Sequence, residues 1–379
     1  MQLQDLPPEL LEQIFSFACT DTGVTGCSLS LVSRYIHDIS APTKLQSVAL
    51  LKRKQLVAFA ALIARNENPP PTRFLYIGSC KDGLSAKGTP ESRAAQEALQ
   101  EAFVFGMGFD ESEEAEERRT TALGLQKVLQ ELQKSLVRDA VDAFFTILRR
   151  LAPKLEVLSM HASTSLSHHV VEFVDFPSLV DLTISTAFPL VYKLGPALNP
   201  YPELRHLHIS GIFDNPLKRL LRPDGLAYWV PKLTALQFSD LGWDTGNVEI
   251  PIFLATSLGV EIDVTVREGS YTADKLKTIV PLPDNLREVI LQPIVEPPEF
   301  TGSDPRLDNT WAYYDFVQYA RRLRSESSRV VLLQTVPGLG RRRHLEEWLS
   351  KADGNLRSWD KMEKDEKRAK WSYRGTRFH

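Results

Sequence analysis

The stretches PKLEVLSM (153–160), PSLVDLTI (177–184), PELRHLHI (202–209) and PKLTALQF (231–238) share one wording: proline, a leucine two residues on, a second leucine three later, then an apolar residue. PDNLREVIL (283–291) is a variant of it. Successive prolines fall 24, 25, 29 and 52 residues apart, so the last gap holds two periods. Each copy alternates apolar and mixed positions in the manner of a half-buried strand. Pro216 to Leu221 and Ala273 to Ile279 read as short helices or irregular returns. A strand and a return segment, repeated, stack into a curved parallel sheet.

Working outward, Leu45 to Leu50 and Arg73 to Ile77 read as earlier strands, with a helix over Lys52 to Asn66 between them. Val260 to Val266 is expected to supply the strand missing from the double gap, and Val330 to Val336 the last one. A helical insert interrupts the series at roughly 90–151, with helices over Pro90 to Phe105 and Ala122 to Leu151. DESEEAEE (110–117) joins them and, as a run of like charges, reads as a solvated linker.

The period and the L-x-x-L-x-L wording resemble the strand half of a leucine-rich repeat. The asparagine usual after such a strand is absent, its places taken by Ser163, Ala187, Ile212 and Leu241, so irregular turns are expected. The expected fold class is α/β. An N-terminal helical unit (1–44) precedes an irregular leucine-rich-repeat-like solenoid with a parallel sheet (45–340), and a helical cap with a basic tail (341–379) follows.

Strand alternation turns the leucines inward and leaves their neighbours on the open, concave face. Those neighbours are Val157 and Ser159, Asp181 and Thr183, His206 and His208, Ala235 and Gln237, Glu288 and Ile290. Small, mixed and weakly polar, the set suits a protein or peptide better than chemistry on a small molecule. The loop from Ser239 to Trp243 could add contacts.

LPPELLEQIF (6–15) opens the chain's first helix, expected over Pro8 to Ala18. Proline suits a helix start, and Glu9 complements its positive end. Leu10, Leu11, Ile14, Phe15, Phe17 and Ala18 form two adjoining stripes, wider than one packing face requires. A second helix near Leu29 to Ile36 adds more apolar surface. About forty residues enclose little on their own, so either the rest of the chain or a partner must cover the excess.

The N-terminus also resembles an F-box of the fungal type. Leu6, Pro7, Glu9, Leu10, Ile14, Phe15, Val32, Ser33 and Arg34 carry the likeness, and Ile36 stands where tryptophan is common. The resemblance covers only the first forty or so residues. It implies a substrate adaptor of a ubiquitin ligase, docked on a Skp-type protein and through it on a cullin, with Leu6, Pro7, Glu9, Leu10, Ile14, Phe15, Val32 and Arg34 at the docking surface. A non-catalytic role without cofactor follows from it. A stand-alone repeat scaffold and a metal-dependent enzyme are the alternatives.

On the open face, Ser159, Asp181, Thr183, His206, His208, Gln237, Trp243 and Glu288 are the candidate substrate contacts. His206 and His208 have the spacing of a metal pair, yet no third ligand can be placed. GxSxG, P-loop and HExxH signatures are missing, and PGLGRRR (337–343) lacks the third glycine of a dinucleotide fingerprint, reading better as a turn before a helix.

A net charge of −3 gives no overall reason to expect nucleic-acid binding. The start lacks the basic n-region of a signal peptide and the apolar run Leu56 to Ala64 is far too short to span a bilayer, so an intracellular location, cytoplasmic or nuclear, without membrane contact is expected. Cys19, Cys27 and Cys80 are odd in number, lack CxxC spacing and read as reduced thiols. From Arg341 onward the chain carries 12 Lys and Arg against 7 Asp and Glu. Leu345, Trp348 and Leu349 share a helical face there, expected to cap the edge of the last repeat. The stretch Lys361 to Arg377, basic with Trp371 and Tyr373 interleaved, reads as a solvated or partly disordered tail, with nucleic acid or a nuclear-import receptor as the alternative partner.

Overall fold

The computed structural model describes residues 6–78, 97, 100, 113–161, 174–185, 201–211, 220–223, 225–241, 245–262, 276–296, 307–334 and 341–354. Its centre is one parallel sheet of eight strands, each beside its neighbours in the chain. They are β1 (Ser47–Leu50), β2 (Phe74–Ile77), β3 (Val157–Met160), β4 (Asp181–Ile184), β5 (His206–Ser210), β6 (Ala235–Leu241), β7 (Glu288–Pro293) and β8 (Val330–Leu332). The fold class is thus mixed α/β, as the repeated wording predicts.

The wording sets the register through its turns. The amides of Leu179, Leu204 and Leu233 close tight turns onto the carbonyls of Phe176, Tyr201 and Val230 at 3.3, 3.3 and 3.1 Å. The repeat proline takes the second position of each turn, where its fixed backbone angle is already correct. Each turn drops its leucine into the core and starts the next strand at the same height. Leu158, Leu182, Leu207, Leu236 and Val289 therefore form one straight row, and Met160, Ile184, Ile209, Phe238 and Leu291 a second. All ten are buried in a single core.

Helices cover that core. In α4 (Arg53–Arg65), Leu56, Phe59, Ala60 and Ile63 face inward. The end of α5 (Glu113–Leu151) adds Ala140, Phe144, Ile147, Leu148 and Leu151, which share one helical face. A short α6 (Leu226–Trp229) follows, and α7 (Thr245–Leu258) packs on α8 (Leu307–Glu326) through Val248, Ile252, Ala312 and Tyr319.

Four expectations are corrected. Strand β6 pairs directly with β7 through Phe238 and Leu291, so no strand lies between them in the sheet. Residues 260–262 are not in a strand and 263–266 lie outside the described residues. Helix α7 fills that interval because Ile250, Phe253 and Leu254, at helical spacing, already cover the core there. Residues 113–117 belong to α5 instead of a linker, and 110–112 of that stretch lie outside the described residues. The helix expected over Leu29 to Ile36 is split into α2 (Val24–Leu29) and α3 (Arg34–Ser40), because Ser33 caps α3 by accepting the Ile36 amide at 3.2 Å.

The fourth correction concerns α9 (Arg341–Ala352). It does not sit against the last strand. It lies across the sheet's open face near β2 to β5, where Trp348 meets Phe74, Tyr76 and Val157. The reason is chemical: these strands present an aromatic patch and a carboxylate that match its tryptophan and lysine.

The first helix, α1 (Pro8–Ala18), lies where expected and packs with α2 and α3 around Leu11, Phe15 and Ile36. Gln46, just before β1, holds this unit by donating to the Ser16 carbonyl at 2.9 Å and accepting from its hydroxyl at 3.0 Å. The Ser47 hydroxyl donates to the Asp21 carbonyl. Gly26 is required by close approach, because a β-carbon there would sit 2.3 Å from the Lys44 carbonyl oxygen.

Candidate functional site

Two surfaces contain the predicted residues. On the N-terminal unit, Leu10, Ile14 and Phe17 line one side of α1 at helical spacing and are exposed, Phe17 to 83%. Val24, Leu31, Val32 and Tyr35 are exposed on the other two helices and their junction. Pro7, Glu9 and Arg34 are also exposed, and Leu6 is half-buried. Phe15 is corrected: it belongs to the unit's own core with Leu11 and Ile36 and offers nothing to a partner. Ile36 fills that same core.

On the sheet, the register brings the predicted face residues into two rows. Val157, Asp181, His206, Ala235 and Glu288 form the first, and Ser159, Thr183, His208, Gln237 and Ile290 the second. Their grouping follows expectation. Their openness does not, since Ser159, Asp181, Thr183, His208 and Gln237 are buried while His206 and Glu288 are half-buried. Trp243 lies outside the described residues.

The cover over β4 and β5 is α9, attached by polar pairs. Lys351 donates to Asp181 at 2.8 Å and to the Thr183 hydroxyl at 2.9 Å, and its ammonium lies 3.3 Å from Glu347. Glu347 is 3.1 Å from His208 Nδ1, whose other ring nitrogen meets the Ser239 hydroxyl at 2.7 Å. His344 stacks on His161 with ring centres 3.9 Å apart and reaches toward Ser210 and Asp240. Asp240 is placed there by a bulge in β6, where its positive φ of 53° is one an aspartate tolerates.

Sequence reasoning missed His344, Glu347 and Lys351. Their signal was a polar stripe at helical spacing beside the apolar one. Nothing local tells such a stripe from a solvated face.

Burial shifts this cluster's ionisation. Burial, reinforced by the charges of His344 and His208, holds the His161 imidazole well below its ordinary 6.5. Burial opposes charge on Glu347, yet His208 and Lys351 outweigh it and hold the carboxyl well below its ordinary 4.5. Burial likewise opposes charge on Lys351, and Asp181 and Glu347 reverse it, raising the ammonium above 10.5.

The signs give a stability window. Below 6.5 the unfolded chain takes up the proton that folded His161 refuses, so stability falls with pH, and below 4.5 the Glu347 contribution is lost as well. The Lys351 contribution is complete below 10.5 and fades as pH rises through its higher folded value. Thermal midpoints should therefore form a plateau between about 6.5 and 10.5 and drop on both sides. A midpoint that rises on acidification from 6.5 would contradict the buried cluster.

Among the described residues, no group of three His, Cys, Asp or Glu could hold a metal, and no helix is long and apolar enough to cross a membrane. The thiol of buried Cys19 is raised chiefly by burial. No protein-family model, curated protein or solved structure matches the chain.

Proposed function

We propose that this chain is the substrate receptor of a Skp–cullin–F-box ubiquitin ligase, with an F-box-like N-terminal unit and a leucine-rich-repeat-like sheet domain. The supporting observation is the division of apolar side chains in the first forty residues. Leu11, Phe15 and Ile36 hold the unit together, while Leu10, Ile14, Phe17, Leu31 and Val32 stay exposed. An N-terminal cap serving only its own chain would bury the second set. Side chains worth roughly 1.5 to 3 kcal/mol each can offset an association cost of about 4 to 15 kcal/mol when several are covered together.

The mechanism needs no reactive group in this chain. A receptor holds substrate lysines near a ubiquitin-charged conjugating enzyme and raises their effective concentration, while other subunits perform the transfer. The N-terminal unit's hydrogen bonds to Gln46 and Ser47 fix it to the sheet, so an adaptor bound there would orient the sheet as well. Co-expression with a Skp-type adaptor, followed by size-exclusion chromatography, should give a co-eluting one-to-one complex. A monomer that ignores the adaptor would favour the stand-alone scaffold.

A further inference from the structure

We infer that the sheet face over β2 to β5 is a helix-binding groove, that α9 is its exchangeable built-in occupant, and that its ligand in trans is a helix of another protein with similar chemistry. That helix carries a carboxylate, an aromatic residue one position on, and a lysine three positions beyond the aromatic. Glu347, Trp348 and Lys351 are the pattern. Calling the ligand a substrate rests on the receptor role proposed above. The groove and its occupant do not.

Three observations carry this. First, the groove matches that pattern by charge and shape. Asp181 and Thr183 receive the lysine, His208 receives the carboxylate, and Phe74, Tyr76 and Val157 receive the indole, with the Tyr76 and Trp348 rings 5.6 Å apart. Buried ion pairs of this kind fix register and partner more than they add net adhesion, because desolvation cancels much of their attraction.

Second, α9 stands apart from the core. Trp348 and Ala352 belong to a small cluster with Phe74, Tyr76 and Val157, separate from the one that packs the inward leucines. Removing α9 leaves both inward rows and their helices untouched. An element with a small apolar contact of its own is drawn from the low-stability end of a structure.

Third, the occupant fits imperfectly. Trp348 Nε1 and His344 Nδ1, both on α9, are buried without a hydrogen-bond partner. Each such atom carries a desolvation cost that a better ligand recovers. A tethered helix tolerates these losses because its tether supplies a high local concentration.

The groove is tested on the full chain without any adaptor. The probe is a fluorescein-labelled, end-blocked peptide of residues 341–354, followed by anisotropy. Wild type should bind it at least about 30-fold more weakly than a Trp348→Ala, Lys351→Glu double variant, whose own helix no longer competes. A peptide with the same two substitutions should bind neither. In the wild type, amides of α9 should exchange with solvent about 100-fold faster than those of β3 to β5, reporting local release.

The inference is overturned if α9 and the strands exchange in step, or if the double variant keeps strand protection but gains no peptide affinity. Loss of strand protection in the double variant would also overturn it, by making α9 integral to the fold. A concentration-dependent dimer that trades α9 between copies would reassign the groove to self-association. Failure of adaptor co-elution, in contrast, touches only the N-terminal surface.

Discussion

With Leu10 and Ile14 both replaced by aspartate, the chain should lose capture of a Skp-type adaptor by about a thousandfold or more and keep its sheet. Two apolar side chains at roughly 1.5 to 3 kcal/mol each, against about 1.4 kcal/mol per tenfold in affinity, already give that order. Carboxylates trapped under a partner add a desolvation penalty. The fold is spared because both positions are nearly half exposed, at 46% and 44%, and make little of the unit's own core. Leu11→Asp is the contrast. That side chain is fully buried against Phe15 and Ile36, so its replacement should unfold the unit itself. Co-elution of the double variant with the adaptor at wild-type strength would remove the docking assignment.

The parts of this molecule legible in its sequence are those written in local periodicity. A proline two residues before a leucine defines a turn, the turn defines a strand start, and repetition at near-constant spacing aligns strands that are far apart in the chain. That is why Asp181, His206 and Glu288 could be placed in one row. Where the period doubled, pattern alone could not choose between a missing strand and one long return. The helical spacing of Ile250, Phe253 and Leu254 decides that question, but only against a core whose shape is known. The break between α2 and α3 was local too, in the capping serine, although a run of apolar residues on both sides concealed it.

The cover on the sheet was not legible, for a different reason. Lys351 and Asp181 are 170 residues apart, and nothing near either residue marks the other as its partner. Exposed and buried charges look alike in sequence. The apolar stripe of Leu345, Trp348 and Leu349 announced a docked helix correctly but carried no address. Its position comes from complementarity between two polar sets, and it also brings Asp353 within 2.6 Å of Thr20 at the end of α1. The sheet face and the N-terminal unit therefore meet at one helix, so release of α9 breaks a contact at both.

Lys351→Met separates the worth of that address from the worth of the fold. With α9 still docked, Asp181 would keep a buried carboxylate facing no ammonium, a state that costs about 3 to 5 kcal/mol. The chain can escape this by letting α9 go, which hydrates Asp181 and exposes the small Trp348 cluster. Whichever cost is smaller prevails, and the modest apolar contact of α9 makes release the cheaper route. In native-state hydrogen exchange, the variant should lose protection over residues 344–352 and keep it over β3 to β5. Combining Lys351→Met with Asp181→Leu removes both charges and substitutes an apolar contact of similar size. Protection of α9 should then return, to wild-type level or above, because two well-packed apolar groups commonly replace a buried ion pair without loss. Full protection of α9 in the single variant would mean that the ion pair does not hold the helix, and that Trp348 alone sets its position, whereas equal loss in both variants would mean that an apolar pair cannot take its place.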